Sequence, residues 1–483
     1  MQKFASKYGT AAHLALLTVA PLFLLPYFTI AEVGHFIIWL SVVSLFWVFL
    51  GPSRRSGETT MDSRYRVLDG VVRDPLFWFS VAVAFFAWIQ WLNSGIRIAY
   101  DAAAQTWSIA KPALENIPGS AGDSGFLPMA ASLAMIVLFT GIRHSLGRQA
   151  RMSYAVMASI LSGVAAIVAV LALNFGAAGP NWMLLCDYRV PSFIGTTFGL
   201  FFLGSLVALF GAVEFSWVRG ELLLVIALSA NALGLVAFAP AATVLVFFAA
   251  FILIMLISFV LTRRLMSGPG SFRCALAIVL AVGTIVFFTV TAAKTSPVGM
   301  RVQSALALFP FPENFFKLRA ALSSLSFTIW KSSPWDGTGL GSFPLDLRFY
   351  ATAADWAIID PAQKAVLSAW WQLLVERGIT GGVMFAVGFA FLLWSYFYRL
   401  IRSFKRISWH PLHILGPIAL LAMVAISFVD CSLLRADVLV TLVAFLALSA
   451  ADFPAPLPRT EEAGDAGETS HTQSKKKEDE NGR

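Results

Sequence analysis

Between residues 315 and 382 the chain gathers most of the side chains that could do chemistry. Phe315-Phe316-Lys317-Leu318-Arg319 leads into an amphipathic stretch ending at Trp330, then SSPWDGTGLGSFP, and after a polar interval SAWWQLLVERGITGG. Gly337, Gly339 and Gly341 are spaced like a turn that could cradle phosphate. A dinucleotide fingerprint, however, needs a strand before the glycines and a helix after them in a βαβ unit, which these flanks do not supply. The glycines are better suited to tight turning and close backbone approach. Trp370 and Trp371 suit a membrane interface, where indole prefers to lie, and could also stack on sugar rings. Lys294, Arg301, Lys317, Lys331, Arg348 and Lys364 could attract an anionic lipid or form a solvated face. Asp355 and Asp360 could act as general bases or cap helices. His35 falls inside an apolar run, where a hydrogen-bonded structural histidine is expected. Asp430 and Arg435 could pair locally or line a cleft. No metal-ligand cluster and no CxxC occurs. Cys274 reads as a small apolar residue, while Cys186 and Cys431 are either bonded or two unpaired thiols.

The elements that must position these residues are membrane helices. Of 483 residues, 58% are apolar and 13% charged, and the mean hydropathy is +0.75. A soluble chain would be about a quarter charged. The sequence pI is near 9.5, but the basic residues sit in short clusters between apolar runs rather than in a stripe, which argues against nucleic acid as a partner. Runs long enough to cross about 30 Å of hydrocarbon occur near 11–30, 32–51, 75–95, 125–142, 153–174, 193–216, 222–240, 241–262, 274–293, 379–398, 412–430 and 436–453. These predict an all-α polytopic protein of about a dozen spans with an uncleaved first helix.

Lys/Arg bias sets the orientation. Arg54, Arg55, Arg64, Arg66 and Arg73 follow the second run, and alternate loops after it carry Arg143, Arg148 and Arg151, then Arg219, then Arg263, Arg264 and Arg273. Arg399, Arg402, Lys405 and Arg406 mark the last. Both termini are expected to be cytoplasmic, with 295–366 a large periplasmic loop between spans 9 and 10. Residues 1–453 then form the membrane domain. The tail 454–483, Pro-rich and then charged, lacks the apolar residues that would offset ordering entropy and is expected to be disordered.

The order Arg319, Pro334, G-x-G-x-G-S-F (337–343) and ERG-I-x-GG (376–382) resembles the O-antigen ligase and O-antigen polymerase superfamily. These are bacterial inner-membrane glycosyltransferases acting on undecaprenyl-pyrophosphate-linked glycans at the periplasmic face. The resemblance covers roughly 180–400 and implies a dozen helices with cytoplasmic termini. It also implies transfer of a glycan from undecaprenyl pyrophosphate to a lipid A core or a growing glycan, with no cofactor and no metal. The family's loop arginine falls on Arg319, and its arginine from an earlier loop on Arg189 in DYRVPSFIGTTFG, where the usual Asn is missing. Such guanidiniums would stabilise the charge that develops on a pyrophosphate leaving group. Arg301, Lys317, Gly337, Gly339, Gly341 and Trp370 are then expected to contact the substrate. Many members carry His-Asn nine residues before the glutamate, where this chain has Leu367 and Ser368, with no His between His144 and His410. Ligase and polymerase are both open on this pattern. A catalytically inactive relative is open too, as is a transporter, although no internal repeat and few mid-span charges favour the last.

Overall fold

The computed structural model describes residues 2–52, 59–110, 114, 117, 119–175, 193–214, 218–261, 283, 313–359, 365–404 and 412–450. These belong to one compact unit, Met1–Ala451. The apolar runs become helices: α1 Gln2–Leu24, α2 Ile30–Leu50, α4 Pro75–Leu92, α5 Phe126–Thr140, α6 Arg148–Phe175, α7 Phe193–Glu214, α8 Val218–Phe238 and α9 Ala241–Leu261, followed late in the chain by α13 Ala369–Phe404, α14 Leu412–Ser427 and α15 Ala436–Ser449. Among the described residues six helices are long and apolar enough to cross a membrane, or up to seven if a bent pair counts as one span. The expected run 274–293, apart from Gly283, and the tail 454–483 lie outside the described residues.

The membrane-crossing candidates pack by small residues. In lipid no hydrophobic force draws apolar helices together, so close backbone approach supplies the contact. Helix α7, buried from Ile194 to Ala212, shows how. Gly199 makes room for Phe247 of α9, Gly204 for Phe445 of α15 and Gly211 for Met152 of α6. Buried polar side chains add hydrogen bonds across helices. Asn231 on α8 donates to Ser162 Oγ (3.0 Å) on α6 and to Ser205 Oγ (3.2 Å) on α7, and Thr18 on α1 meets the Tyr154 hydroxyl of α6 at 2.7 Å.

Two local features depart from a pure span-and-loop pattern. The arginine-bearing segment after α2 contains helix α3, Thr60–Val72, which starts on a capping box in which Thr59 and Asp62 exchange side-chain and backbone hydrogen bonds. It meets α4 at a 68° bend. After α4, strands β1 Arg97–Asp101 and β2 Thr106–Ala110 form an antiparallel hairpin, a small two-stranded addition to the otherwise helical architecture. Its turn is held by Asp101 Oδ1, which accepts the amides of Ala103 and Ala104. The single residue Gln105 takes up a positive φ of 50°.

The described part of the expected large loop is helical. The amphipathic stretch becomes α10, Glu313–Ser332, and is followed by α11 Phe343–Tyr350 and the single turn α12 Ala353–Trp356. Leu322, Leu325 and Ile329 of α10, Phe343 and Leu347 of α11, Ile359, Val366 and Val375 of α13 close on one another as a small separate core.

Candidate functional site: a cleft under Arg319

The GxGxG segment is where the lobe is fastened. Helix α13 is not continuous: Gly378 stands at φ 61°, ψ −166° and breaks it. A break strands carbonyls on one side and amides on the other, and buried groups of that kind must find partners. The glycine segment supplies them. Thr338 N donates to Val375 O (2.8 Å) and Gly339 N to Glu376 O (3.0 Å), while Ile379 N and Thr380 N donate to the carbonyls of Pro334 (2.8 Å) and Trp335 (3.2 Å). Leu340 then pairs with the end of the hairpin loop, its amide to Gly119 O (2.8 Å) and its carbonyl from Ala121 N (2.9 Å). Gly337, Gly339 and Gly341 have φ of 72°, 106° and 72°. A Cβ on Gly337 would meet the backbone of Glu376 to Gly378, one on Gly339 the Ile96 side chain and one on Gly341 that of Ser124. All three glycines are packed against the chain itself.

Below this junction Thr338 Oγ1 and Ser342 Oγ lie 2.7 Å apart, and Ser342 donates to Asp346 Oδ2 at 2.8 Å. Burial pushes the Asp346 carboxyl up to about 6, against the lowering effect of those two hydroxyls. Gln372 Nε2 donates to Glu376 Oε1 at 2.5 Å.

Arg319 lies on α10 where it meets the start of α13 and the segment after α14. Its Nη2 donates to Leu367 O (2.6 Å) and to Val429 O, and its Nη1 to Phe428 O (3.4 Å). Ala369 N donates to Asp430 O at 3.0 Å, tying the same two segments. Burial lowers the Arg319 pKa while the Asp430 carboxylate acts in the other direction. Burial also pushes the Asp430 carboxyl up to about 7, against the Cys431 amide, the Ser432 hydroxyl and Arg319. Asp430 acts electrostatically on Arg319, and Arg435 Nε lies 3.6 Å from Asp437 Oδ1.

Arg319 is part of the wall of a cleft of about 280 Å³. Leu322 and Ser323 of α10 share that wall, with Val366, Leu367, Ser368, Trp370, Trp371 and Leu374 opposite and Phe428 beside them. The Trp370 Nε1–H is buried and makes no hydrogen bond to a described residue. A guanidinium, an unused indole N–H and two serines on an apolar wall can hold an anionic or hydroxylated group partly out of water.

Of the residues singled out in the sequence, the fold brings Arg319, Trp370 and Trp371 together with Leu367 and Ser368. The three glycines lie at the junction with α13 and do not line this cleft. Lys317 and Arg348 are exposed, and Lys331 lies 4.3 Å over the Phe327 ring. Asp355 caps α12 through a capping box with Thr352. His35 Nδ1 lies 2.7 Å from Ala31 O in the preceding turn. Arg189, Arg301, Asp360, Lys294, Lys364, Cys186 and Cys274 lie outside the described residues, and the Cys186–Cys431 pairing with them. Cys431 is buried. Sequence reasoning missed the break at Gly378 and the role of Asp430 toward Arg319. The first had a signal, a glycine after two charged residues inside an apolar helix; the second depends on contacts distant in sequence.

A scan against protein-family models finds none that matches this chain, and no curated protein matches it significantly.

Proposed function

We propose that the protein is a membrane glycosyltransferase of O-antigen ligase type, transferring a glycan from undecaprenyl pyrophosphate to an acceptor glycan at the periplasmic face of the bacterial inner membrane. The observation that carries this reading is the meeting of Arg319, the motif-register arginine, with the unused Trp370 N–H on one cleft. In the transfer the bond between the sugar's anomeric carbon and the pyrophosphate oxygen breaks. An acceptor hydroxyl oxygen takes that carbon and gives up its proton. Negative charge grows on the leaving pyrophosphate, and a fixed guanidinium in a partly dry site stabilises it more than water would. Arg319 is held in place by main-chain carbonyls, so it need not reorganise as that charge appears. Trp370 offers a donor to a phosphate or sugar oxygen, and Trp371 a flat apolar face for a ring. Arg189, Arg301 and Lys317 remain further candidate contacts for the same donor. A polymerase that joins repeat units would use the same cleft.

One observation favours a second reading. Arg319 donates to three carbonyls of neighbouring segments, as an arginine does when it ties elements together. On that reading the chain is a relative of the transferases without their activity. Deleting the gene and examining lipid-linked glycan separates the outcomes: unattached chains point to a ligase, single units to a polymerase and no change to the inactive relative. Complementation with Arg319→Ala is expected to lose about 10²–10³-fold of glycan transfer at unchanged membrane protein level. Full transfer by that variant would sink the transferase role of Arg319.

A further inference from the structure

The residue after Glu376 in the ERG sequence stands apart from the cleft just described. Arg377 is the last residue of α13 before the break at Gly378, and its stem lies across Gly381 one turn later. Its guanidinium carbon sits 5.7 Å from the centre of the Phe86 ring on α4 and 5.8 Å from that of Phe385 on α13. The carboxylate that acts on it electrostatically, Glu376, is engaged by the Gln372 amide and the Gly341 backbone. The Arg377 side chain makes no hydrogen bond or ion pair with a described residue. Five N–H donors and a full charge are thus set between aromatic faces at a helix break, where such a group is costly without a partner.

Directly beyond Phe385 an apolar cavity of about 110 Å³ opens between α4, α5, α13 and α15. Phe385 lies beside the Arg377 guanidinium and also lines the cavity, so one ring separates the two. Phe79, Val83 and Phe86 follow one face of α4 at helical spacing, as Phe385, Gly388 and Leu392 follow one face of α13 beyond its break at Gly378. From Gly378 to Leu392 the helix rises roughly 21 Å, about the depth of one bilayer leaflet with its headgroup zone. That length suits a single acyl chain and is too short for a long polyisoprenoid. The lining is apolar apart from Ser80, so a free anion would gain nothing from it.

We infer that this groove binds one anionic phospholipid of the bilayer, its phosphate on Arg377 and one acyl chain along Phe385, Gly388 and Leu392. Two charge-assisted hydrogen bonds from the guanidinium would meet the phosphate oxygens, and the two rings would hold the fork in plane. The groove would hold this lipid whichever reaction the Arg319 cleft performs.

The test uses the full chain purified in detergent, with palmitoyl-oleoyl phosphatidylglycerol added and retained lipid counted by native mass spectrometry. One lipid is expected on the wild type. Arg377→Gln is expected to weaken its retention at least about tenfold, and Arg377→Lys, which keeps the charge but not the planar fork, to restore only part of it. Val83→Trp, which fills the groove and keeps the cation, should weaken it as much as Arg377→Gln. Should Arg377→Gln fail to give folded protein, Val83→Trp and a comparison on the wild type with uncharged diolein carry the decision. Equal binding of diolein, undiminished retention by either variant, or displacement by stoichiometric undecaprenyl phosphate would each overturn the assignment.

Discussion

At the scale of single residues, buried carboxyls shape how the region around α10, α11 and α12 responds to pH. Asp346 keeps its proton up to about 6 in the folded chain, whereas an unfolded aspartate ionises near 4. Between those values the unfolded state loses a proton that the folded state still holds. Stability is therefore full below about pH 4 and falls as pH rises toward 6. The difference corresponds to at most ~3 kcal/mol. Asp346→Asn should flatten this fall, so that thermal unfolding followed at pH 5 and pH 8 differs less in the variant than in the wild type. Asp430, held to about 7 by burial beside Arg319, adds to the slope that remains. Identical slopes in both proteins would show that Asp346 does not titrate in this window.

At the scale of elements, the break in α13 decides where the GxGxG segment docks. With φ 61° and ψ −166°, Gly378 occupies backbone space that only glycine takes readily. A Cβ there would run into the Trp335 backbone. Gly378→Ala should cost at least about 1–3 kcal/mol from the backbone conformation alone, and more if the GxGxG segment detaches. Lower thermal stability together with protease cleavage near Trp335 would mark that detachment; a variant as stable as the wild type would mean that α13 can run straight through. The same glycine was legible in the sequence as part of ERG-I-x-GG, but its function as a helix break was not. Hydropathy favours a continuous helix there, an isolated glycine is only a weak break signal, and the reciprocal hydrogen bonds from Pro334 to Gly339 stabilise the break.

At the scale of the whole molecule, the apolar helices make a membrane-embedded protein, and the Lys/Arg bias predicts which ends face which side. A reporter fused near residue 340 is expected to read as periplasmic and one after residue 460 as cytoplasmic. The reverse pattern would place the cleft on the cytosolic side, away from any donor displayed outside. The packing around α7 adds a physical limit on that architecture. Gly199, Gly204 and Gly211 are spaced so that α9, α15 and α6 can each seat a large side chain against its backbone.

The sequence by itself determined the class of protein, because hydropathy along a run of about twenty residues is a local quantity that the bilayer reads directly. It likewise marked the amphipathic stretch that became α10, since its period is local too. The T-x-x-D start of α3 was just as local, yet hydropathy drew no attention to it. What only the tertiary structure decided is which residues share a site. Arg319, Trp370 and Phe428 come from three segments, and Arg377 meets Phe86 from nearly three hundred residues away. Such neighbours are chosen by packing and by buried backbone groups that must find partners, and neither leaves a trace in local pattern.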